Sequence, residues 1–368
     1  MIHELALLNF RGVREGRLEL FPMTVLLGAN NSGKTTVLEA LYLLYPLGVS
    51  CLSAYAKREK GEEQGRVLTV AEAIHAYHEI LGSRGYGFLI HNYGNEKARI
   101  GCRLDGKLKA LALISEEDGV KVYGPYERAA TSAPDLMAFV RLKIDEIISE
   151  KVLGGVEGLT LKEDGSTSYR SSESAKCLFM KPHLANLALE YMRMKWASIR
   201  GRGLTGKVAD ELSKLVNEDY DDLTLEPHIG EGLSLNVILR KSKVGVRLSD
   251  MGDGMRMLAT AMLLWELSGA ELLLWDDVEA FMSPSSLIYV SGWMAELVER
   301  GSQVIVATHS REAAKLLVGM AEEFGQEARV VLLALKNGLL RYKVLTLDKL
   351  EALEAAGVDV RMAEGFII

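Results

Sequence analysis

The chain has 368 residues, of which 48% are hydrophobic and 25% are charged, and its formal net charge at pH 7 is −7. These proportions are typical of a globular protein with a sizeable core, and they exclude intrinsic disorder, collagen and coiled-coil rods as the main architecture. The acidic balance provides no overall basic field that would attract nucleic acid or an anionic membrane.

The cysteines and the apolar runs indicate which cellular compartment the protein occupies. Cys51, Cys102 and Cys177 are scattered and lack CxxC spacing, which argues against a disulfide framework and against a zinc site. The N-terminal residues contain no uninterrupted signal-peptide core, and no apolar run approaches the ~20 residues of a membrane span. We therefore expect a cytoplasmic protein with no membrane partner.

The N-terminal third predicts strands around one helix. Residues 2–28 contain two short alternating strands and then the apolar strand Met23–Leu27, and Thr35–Tyr45 predicts a helix that Pro46 ends. Residues 86–124 alternate apolar and polar side chains between turn residues, which is typical of an antiparallel β ribbon.

A phosphate-binding motif stands between the apolar strand and the helix. Gly28-Ala-Asn-Asn-Ser-Gly33-Lys34-Thr35 fits the pattern GxxxxGK[ST] in the strand-to-helix context that it requires. Its glycines let backbone N–H groups wrap phosphates, and the helix N-terminus adds partial positive charge. We expect Lys34 to reach the β- and γ-phosphates and the Thr35 hydroxyl to bind Mg²⁺. The candidate nucleotide-binding residues here are Gly28, Asn30, Asn31, Ser32, Gly33, Lys34, Thr35 and Thr36.

The remainder divides into a helical stretch and an α/β stretch. Residues 133–220 predict mostly helix, with helices at about 183–199 and 206–217, and residues 222–248 return to strands. After that, helices and strands alternate: helix 253–268, strand 271–275, helix 284–300, strand 303–307, helix 311–322, a hairpin at Asn337–Gly338 and helix 347–356. We predict three parts, residues 1–130, 131–222 and 223–368.

The strand 271–275 ends in acidic residues. A continuous apolar run is typical of a central parallel strand, and acids at its C-terminal end face the crevice where α/β sheets bind ligands. We expect Asp276 to hold the Mg²⁺ shell through water and Asp277 to polarise the attacking water as general base. The alternative is a solvated acidic turn.

Two weaker signals accompany these motifs. Leu248–Gly254 precedes a helix, and its small residues and its serine suit an anion that need not be bound by the same chain's phosphate loop; a plain helix cap is the alternative. His309 ends the strand 303–307, where it could contact the γ-phosphate or the attacking water; a packed or surface histidine is the alternative. In one parallel sheet the ends of these apolar strands meet, which strengthens both signals.

Taken in order, these residues resemble the ABC-type ATPase heads of the SMC, RecF and OLD-like group, also described as AAA-type ATP-binding proteins. Leu8–Gly12 is similar to the family's NFRG opening, and Leu38-Glu39-Ala40 continues its phosphate-loop block. Leu248–Gly254 stands where the signature motif belongs, and Thr308-His309-Ser310 matches the THS switch. Residues 1–45 and 245–320 carry the resemblance.

The resemblance implies an α/β fold: an ABC-ATPase-type P-loop core with a mixed sheet, an antiparallel β lobe and a helical lobe. It implies an ATPase with ATP and Mg²⁺ as cofactors and an ATP-dependent homodimer, in which each γ-phosphate meets Ser249 of the other copy. Arg11 lies near the nucleotide in this scheme. The implied catalytic residues are Lys34, Asp277, Glu279 and His309; Thr35 and Asp276 are implied for the metal, and Ser249 and Gly252 for the nucleotide.

The sequence departs from the family pattern at three places. Asp277 stands where the family has glutamate, and since a misplaced base costs rate, we expect slow turnover unless Glu279 shares the role. The signature contains SDMGDG instead of SGGQ. No Q-loop glutamine is identified, and the candidates are Gln64 by position and the segment Leu89–Asn92.

The target of the ATPase is left between two alternatives. The span between Thr36 and Leu248 is too short for a long coiled coil, and the residues after Met320 are too few for a nuclease domain, so we expect a stand-alone head in DNA repair, DNA maintenance or defence. We expect duplex DNA as its load, and a separate toxin or nuclease effector is the alternative. The candidate DNA footprint is a set of basic residues, with a solvated helix face as the alternative: Arg193, Lys195, Arg200, Arg202, Lys207, Arg240, Lys241 and Lys243.

Overall fold

The computed structural model describes most of the chain. The described residues are 1–45, 49–57, 63–78, 85–94, 97–117, 119–129, 135–146, 149, 159–162, 176–182, 185–227 and 233–362.

The strands come in three groups along the chain. The first group is β1 (Ile2–Phe10), β2 (Val13–Glu19), β3 (Met23–Leu27), β4 (Val49–Lys57) and β5 (Glu63–Thr69). The second is β6 (Ala98–Leu104), β7 (Lys107–Glu116), β8 (Gly119–Ala129), β9 (Leu159–Lys162) and β10 (Cys177–Met180). The third is β11 (Tyr220–Pro227), β12 (Leu233–Leu239), β13 (Gly245–Arg247), β14 (Leu272–Trp275), β15 (Gln303–Thr308), β16 (Ala328–Lys336) and β17 (Leu339–Leu345).

The longer helices in the described residues alternate with these strands, and short helical turns complete the connections. The helices are α1 (Lys34–Leu43), α2 (Val70–His78), α3 (Ala185–Gly201), α4 (Leu204–Val216), α5 (Asp253–Ser268), α6 (Pro284–Glu299), α7 (Arg311–Glu323) and α8 (Leu347–Ala355). None of the helices in the described part of the chain is both long and apolar enough to span a membrane.

One mixed sheet organises the molecule. Its strand order is β10-β14-β15-β3-β16-β17-β2-β1-β6-β7-β8-β9. The first five strands run parallel to one another, whereas β16–β17, β1–β2 and the ribbon β6 to β9 pair antiparallel. The predicted mixed sheet with an antiparallel β lobe is therefore confirmed.

The parallel strands are central because their sequences are largely apolar, and the buried polar side chains among them, Thr24, Gln303 and Thr308, have hydrogen-bond partners. Every residue of β3, β14 and β15 is buried, as expected for strands covered on both faces by helices. The carboxyl ends of β3, β14, β15 and β10 lie along the same edge, since these strands run in one direction in matched register. The polar residues that directly follow these strands therefore lie along that edge of the sheet.

Local sequence signals fix the ends of the C-terminal helices. Ser283 and Ser310 cap α6 and α7 by accepting hydrogen bonds from the backbone N–H groups of Ser286 and Ala313, and Pro284 occupies the first turn of α6. The hairpin between β16 and β17 turns at Asn337–Gly338, where both residues have positive φ. These boundaries agree with the predicted elements within one or two residues.

Three differences from the predicted layout have local causes. Residues 85–94 form two short 3₁₀ turns instead of extending the ribbon, because Asn92 and Tyr93 adopt positive φ. The pair β4–β5 and helix α2 lie in a stretch for which no element is predicted, and they pack against α1 and α3. Within the stretch predicted as mostly helical, β9 and β10 join opposite ends of the main sheet.

Helices α3 and α4 pack with α5 and with the sheet β11-β12-β13 on one side of the parallel strands. Their positions agree with the helices predicted at about 183–199 and 206–217. The helical lobe is therefore present, although part of its predicted span, including most of the break near 154–170, lies outside the described residues. Cys102 and Cys177 are buried free thiols.

Candidate functional site

The phosphate loop connects β3 to α1 and depends on its glycines. A Cβ on Gly28 would lie 2.6 Å from the Leu333 carbonyl oxygen, so no side chain fits there. Gly33 has a φ of 93° at the start of α1, a left-handed conformation that glycine adopts without steric cost. The loop thus takes the shape that its sequence predicts, with Asn30 and Asn31 exposed and Ser32 and Thr36 buried.

Lys34 lies folded over this loop. Its Nζ donates hydrogen bonds to the carbonyl oxygens of Gly28 and Ala29, each at 2.9 Å. Burial lowers the pKa of Lys34 to about 8, although the carboxylates of Asp277, Asp276 and Glu279 act in the opposite direction. The pKa of this lysine therefore lies closer to neutral pH than that of an exposed lysine.

Thr35 and Asp276 come together from α1 and the end of β14. The Thr35 hydroxyl donates a hydrogen bond to Asp276 Oδ2 at 2.9 Å. Both are hard oxygen ligands of the kind that Mg²⁺ prefers, and one hydroxyl with one carboxylate leaves its remaining positions to phosphate oxygens and water. In the described residues, no cluster of three His, Cys, Asp or Glu side chains offers a complete metal cage. The pair fits a magnesium ion that arrives with a nucleotide.

His309 lies between Lys34 and Asp277. Its Nδ1 is 3.4 Å from Lys34 Nζ, and its Nε2 is 3.6 Å from Asp277 Oδ1. Asp277 has a positive φ of 48° and a half-exposed side chain, so its carboxylate faces open space beside the phosphate loop. The structure thus places three of the predicted catalytic side chains in one row.

Unlike Asp277, Glu279 is fixed by hydrogen bonds to both of its carboxylate oxygens. Its Oε2 accepts a hydrogen bond from the Thr308 hydroxyl at 2.7 Å, and its Oε1 accepts one from the His309 backbone N–H at 2.8 Å. Both carboxylate oxygens are therefore engaged in fixing the end of β15. These contacts give Glu279 a positioning role for His309, and its predicted share in base catalysis stays a prediction.

A buried charge cluster lies next to this row. Glu39 on α1 is fully buried and forms ion pairs with Arg11, His78 and Lys181. Burial alone would raise the pKa of Glu39, but Arg11, His78 and Lys181 together hold it below its usual value. Arg11, expected near the nucleotide, therefore reaches the site through Glu39 on the helix that follows the phosphate loop.

Lys181 was missed by the sequence analysis. It directly follows β10, and its Nζ lies 3.4 Å from Glu39 Oε1 and 3.6 Å from Asp276 Oδ2. Burial raises the pKa of Asp276, and the Lys181 ammonium opposes part of this rise. The apolar run Cys177–Met180 before Lys181 is the signal that could have found it, since the other site residues also follow apolar strands.

The signature segment lies apart from the phosphate loop. Residues Leu248–Met251 form a 3₁₀ turn that packs on α5, β12 and β13, and Gly252, with a φ of 108°, leads into α5. Ser249 is exposed, and in the described part of the chain its hydroxyl makes no hydrogen bond to the phosphate loop. One chain alone therefore does not bring Ser249 and Gly252 together with Lys34.

The Q-loop candidates also lie away from the row of predicted catalytic side chains. Gln64 is in β5, paired with Ala56 of β4 in the separate two-stranded sheet. His91 of the segment Leu89–Asn92 is hydrogen-bonded through Nδ1 to the Arg11 carbonyl oxygen at 2.8 Å. A cavity of about 850 Å³ opens there, bounded by Asn31, Asn92 and residues of the two neighbouring turns.

Replacing Glu279 with alanine should destabilise the protein by about 2–4 kcal/mol, because two hydrogen bonds to a charged acceptor are lost together. Urea unfolding followed by circular dichroism measures this difference. Asp277→Asn is the control, since the Asp277 side chain is half-exposed and asparagine accepts the positive φ at this position, so the unfolding free energy should change by less than about 0.5 kcal/mol. Equal stabilities of the two variants would contradict the positioning role.

Comparisons with known proteins agree with this geometry. The family described as AAA ATPase domain matches residues 1–64, and the family described as AAA domain, putative AbiEii toxin, Type IV TA system matches residues 162–313. An uncharacterised protein of Methanocaldococcus jannaschii is 30% identical over 113 residues, which make up 30% of this chain and 99% of that protein.

Solved structures extend the likeness over nearly the whole chain. The Smc head domain of Pyrococcus furiosus, solved with an extended coiled coil and bound to the C-terminal domain of ScpA, has 14% identity and a TM-score of 0.50, with 97% of this chain and 99% of that chain covered. A second Smc head, bound to the C-winged helix domain of ScpA, has 16% identity and a TM-score of 0.51, with 96% and 99% covered. These likenesses show a shared fold.

The phosphate loop, the acidic strand end and the switch histidine meet at one edge of that fold, and AAA ATPase families match both halves of the site. Residues 1–64 and 162–313 of the chain therefore match AAA-type ATPase domains, and these domains are set in a fold similar to that of Smc heads.

Proposed function

We propose that two copies of this ATPase close head to tail around two Mg-ATP molecules and open again after slow hydrolysis. One observation carries the proposal. Lys34, Asp276 and His309 converge at one edge of the sheet, whereas Ser249 is exposed on a separate turn and makes no hydrogen bond to its own phosphate loop in the described residues. A second copy turned around would supply the missing serine.

The nucleotide fits this edge in one direction. Phosphates placed on the loop would take up the backbone N–H groups at the start of α1, and Lys34 would exchange the carbonyl oxygens of Gly28 and Ala29 for phosphate oxygens. The cavity beside Asn31, with its volume of about 850 Å³, is large enough for the base and sugar. The residues of the two turns around it would then contact the nucleoside.

The side chains divide the hydrolytic step among them. Thr35 and Asp276 would hold Mg²⁺, which when bound neutralises charge on the β- and γ-phosphates. Asp277 would accept the proton of the attacking water, and His309, held by the Glu279 contact to its backbone, would orient that water and the γ-phosphate. Because an aspartate reaches one methylene less far than a glutamate, a longer distance to the water supports slow turnover.

Apolar residues beside the site support a partner surface. Phe281 has a positive φ of 62° and is 63% exposed in the loop between Asp277 and α6, and Ile288 on α6 is 46% exposed. Exposed large apolar side chains next to a charged site are typical of surfaces that a partner covers. A second copy that reaches the nucleotide would cover this loop.

For the load, we infer an effector protein such as a toxin or a nuclease, and duplex DNA is the alternative. Five of the eight basic residues of the predicted DNA footprint form ion pairs with carboxylates of this chain: Arg193, Arg200, Lys207, Arg240 and Lys243. Paired cations release fewer counterions on binding DNA, so the footprint is weakened. The description of one matching family, which names a type IV toxin–antitoxin system, favours a protein partner over DNA.

Raising the pH from 7 to 9 should weaken Mg-ATP binding by about tenfold, because Lys34 with a pKa of about 8 loses its proton in the free protein and the phosphates require the charged form. Fluorescence titration with an ATP analogue across this range measures how the affinity changes with pH, which is the slope compared below. Lys34→Arg stays charged throughout, so its slope should vanish. The same slope in both proteins would assign the titration to another group.

The Asp277→Asn variant should be a dimer with Mg-ATP and a monomer with Mg-ADP, since it keeps the γ-phosphate contacts but removes the base that ends them. Light scattering on a sizing column measures the mass in each nucleotide. Adding Ser249→Arg should leave nucleotide binding intact and return the ATP sample to a monomer. The same mass in both nucleotides would remove the main support for the head-to-tail dimer.

The Asp277→Asn dimer should not bind a short DNA duplex in a strongly salt-sensitive way, because five of the eight basic residues of the predicted footprint are already paired with carboxylates. Fluorescence anisotropy at about 50 and 200 mM salt tests this. A loss of affinity of about a thousandfold between these concentrations would indicate many phosphate contacts and restore DNA as the load.

A further inference from the structure

Lys181, which was not predicted as a site residue, is a mostly buried cation that lies between two acids. Its side chain is 16% exposed, and its ammonium is within ion-pair distance of both Glu39 and Asp276. Asp276 is the carboxylate proposed for the metal, so this ammonium lies close to the place where a divalent ion would bind. A fixed cation beside a metal ligand changes the affinity of that ligand for metal.

The sheet fixes this position. β10 pairs in parallel with β14 so that Met180 lies opposite Trp275, and the Asp276 backbone N–H donates to the Met180 carbonyl oxygen at 2.9 Å. Lys181 and Asp276 are therefore the first residues beyond two neighbouring strands. Their proximity follows from the strand register and not from a chance side-chain conformation.

The Lys181 ammonium also has contacts that it would keep if it moved away from Asp276. Its ammonium lies 5.1 Å from the centre of the Tyr77 ring and 5.7 Å from that of Phe179, and aromatic faces attract cations at such distances. On the same side, Glu39 is fully buried and negatively charged. Moving away from Asp276 would leave the ammonium with a carboxylate and two rings.

We propose that Lys181 is a resident counter-ion of Asp276 that the magnesium ion displaces toward Glu39. Without metal, the ammonium of Lys181 lies 3.6 Å from Asp276 Oδ2 and offsets the negative charge of this buried carboxyl group. A divalent ion on Asp276 repels the ammonium at this short distance, so metal binding must overcome that repulsion and the lost ion pair. Lys181 thereby lowers the gain in nucleotide affinity that the metal provides.

The proposal rests on Asp276 as the metal ligand, and the test separates the two assignments. The dissociation constant of a fluorescent, non-hydrolysable ATP analogue is measured in EDTA and in saturating Mg²⁺. The value in EDTA divided by the value in Mg²⁺ is the coupling ratio, and it reports how much the metal increases nucleotide affinity. Lys181→Met should raise this ratio by about tenfold, since a single and a double charge at about 4 Å repel at least that strongly even in water. Lys181→Gln is the second neutral variant.

Two controls are matched to this design. Lys176→Met removes a lysine at the opposite end of β10, where the exposed ammonium pairs with Glu271 at 2.6 Å, and should keep the wild-type ratio. Lys181→Arg retains the charge and should also keep it. Asp276→Asn should reduce the ratio strongly.

The outcomes are distinguishable. An unchanged or lower ratio in the neutral Lys181 variants, with a reduced ratio in Asp276→Asn, overturns the counter-ion role alone. It would be the expected result if Lys181 contacted the phosphates directly, because both dissociation constants would then rise together. A wild-type ratio in Asp276→Asn removes Asp276 as the metal ligand and overturns both assignments.

Discussion

The shared direction and register of β10, β14, β15 and β3 are the constraint on which the site depends. Trp275 pairs with Met180 on one side and with Val306 on the other, and Thr308 pairs with Leu27, so the residues that follow these strands form a row. A one-residue slip in any pair would turn the alternate side chains to the opposite face of the sheet. Both faces of these strands are buried, so their register depends on the fit of individual side chains against the covering helices and not on a contrast between a polar and an apolar face.

The fold and most of the site were predictable because their signals are local. The phosphate loop is contiguous, the acids of residues 276–279 follow an apolar run directly, and His309 does the same one strand later. The parallel core then follows from alternation of apolar strands with helices. The signature turn was located by its spacing to these motifs, and its packing on β12 and β13 agrees with that location.

The missing parts have long-range causes. Glu39 and Lys181 are separated by 142 residues, and neither belongs to a periodic pattern that would predict an ion pair between them. β10 has only four residues and lies in a stretch dominated by helical sequence, so its place beside β14 is set by tertiary contacts. The turns at 85–94 depend on positive φ at Asn92 and Tyr93, which side-chain alternation does not reveal. Such features are determined by which elements meet, and the local sequence carries little of that information.

The strand order has a consequence for how the chain folds during synthesis. β3 precedes the phosphate loop, yet both of its neighbours, β15 and β16, come from the C-terminal part of the chain. On a ribosome, the apolar strand must wait for about 280 residues, or roughly 15–60 s of elongation, before either partner exists. During that interval its unpaired backbone and apolar side chains need protection from other nascent chains. The strand that leads into the phosphate loop is therefore among the first to be synthesised, yet it is paired only after most of the chain has been made.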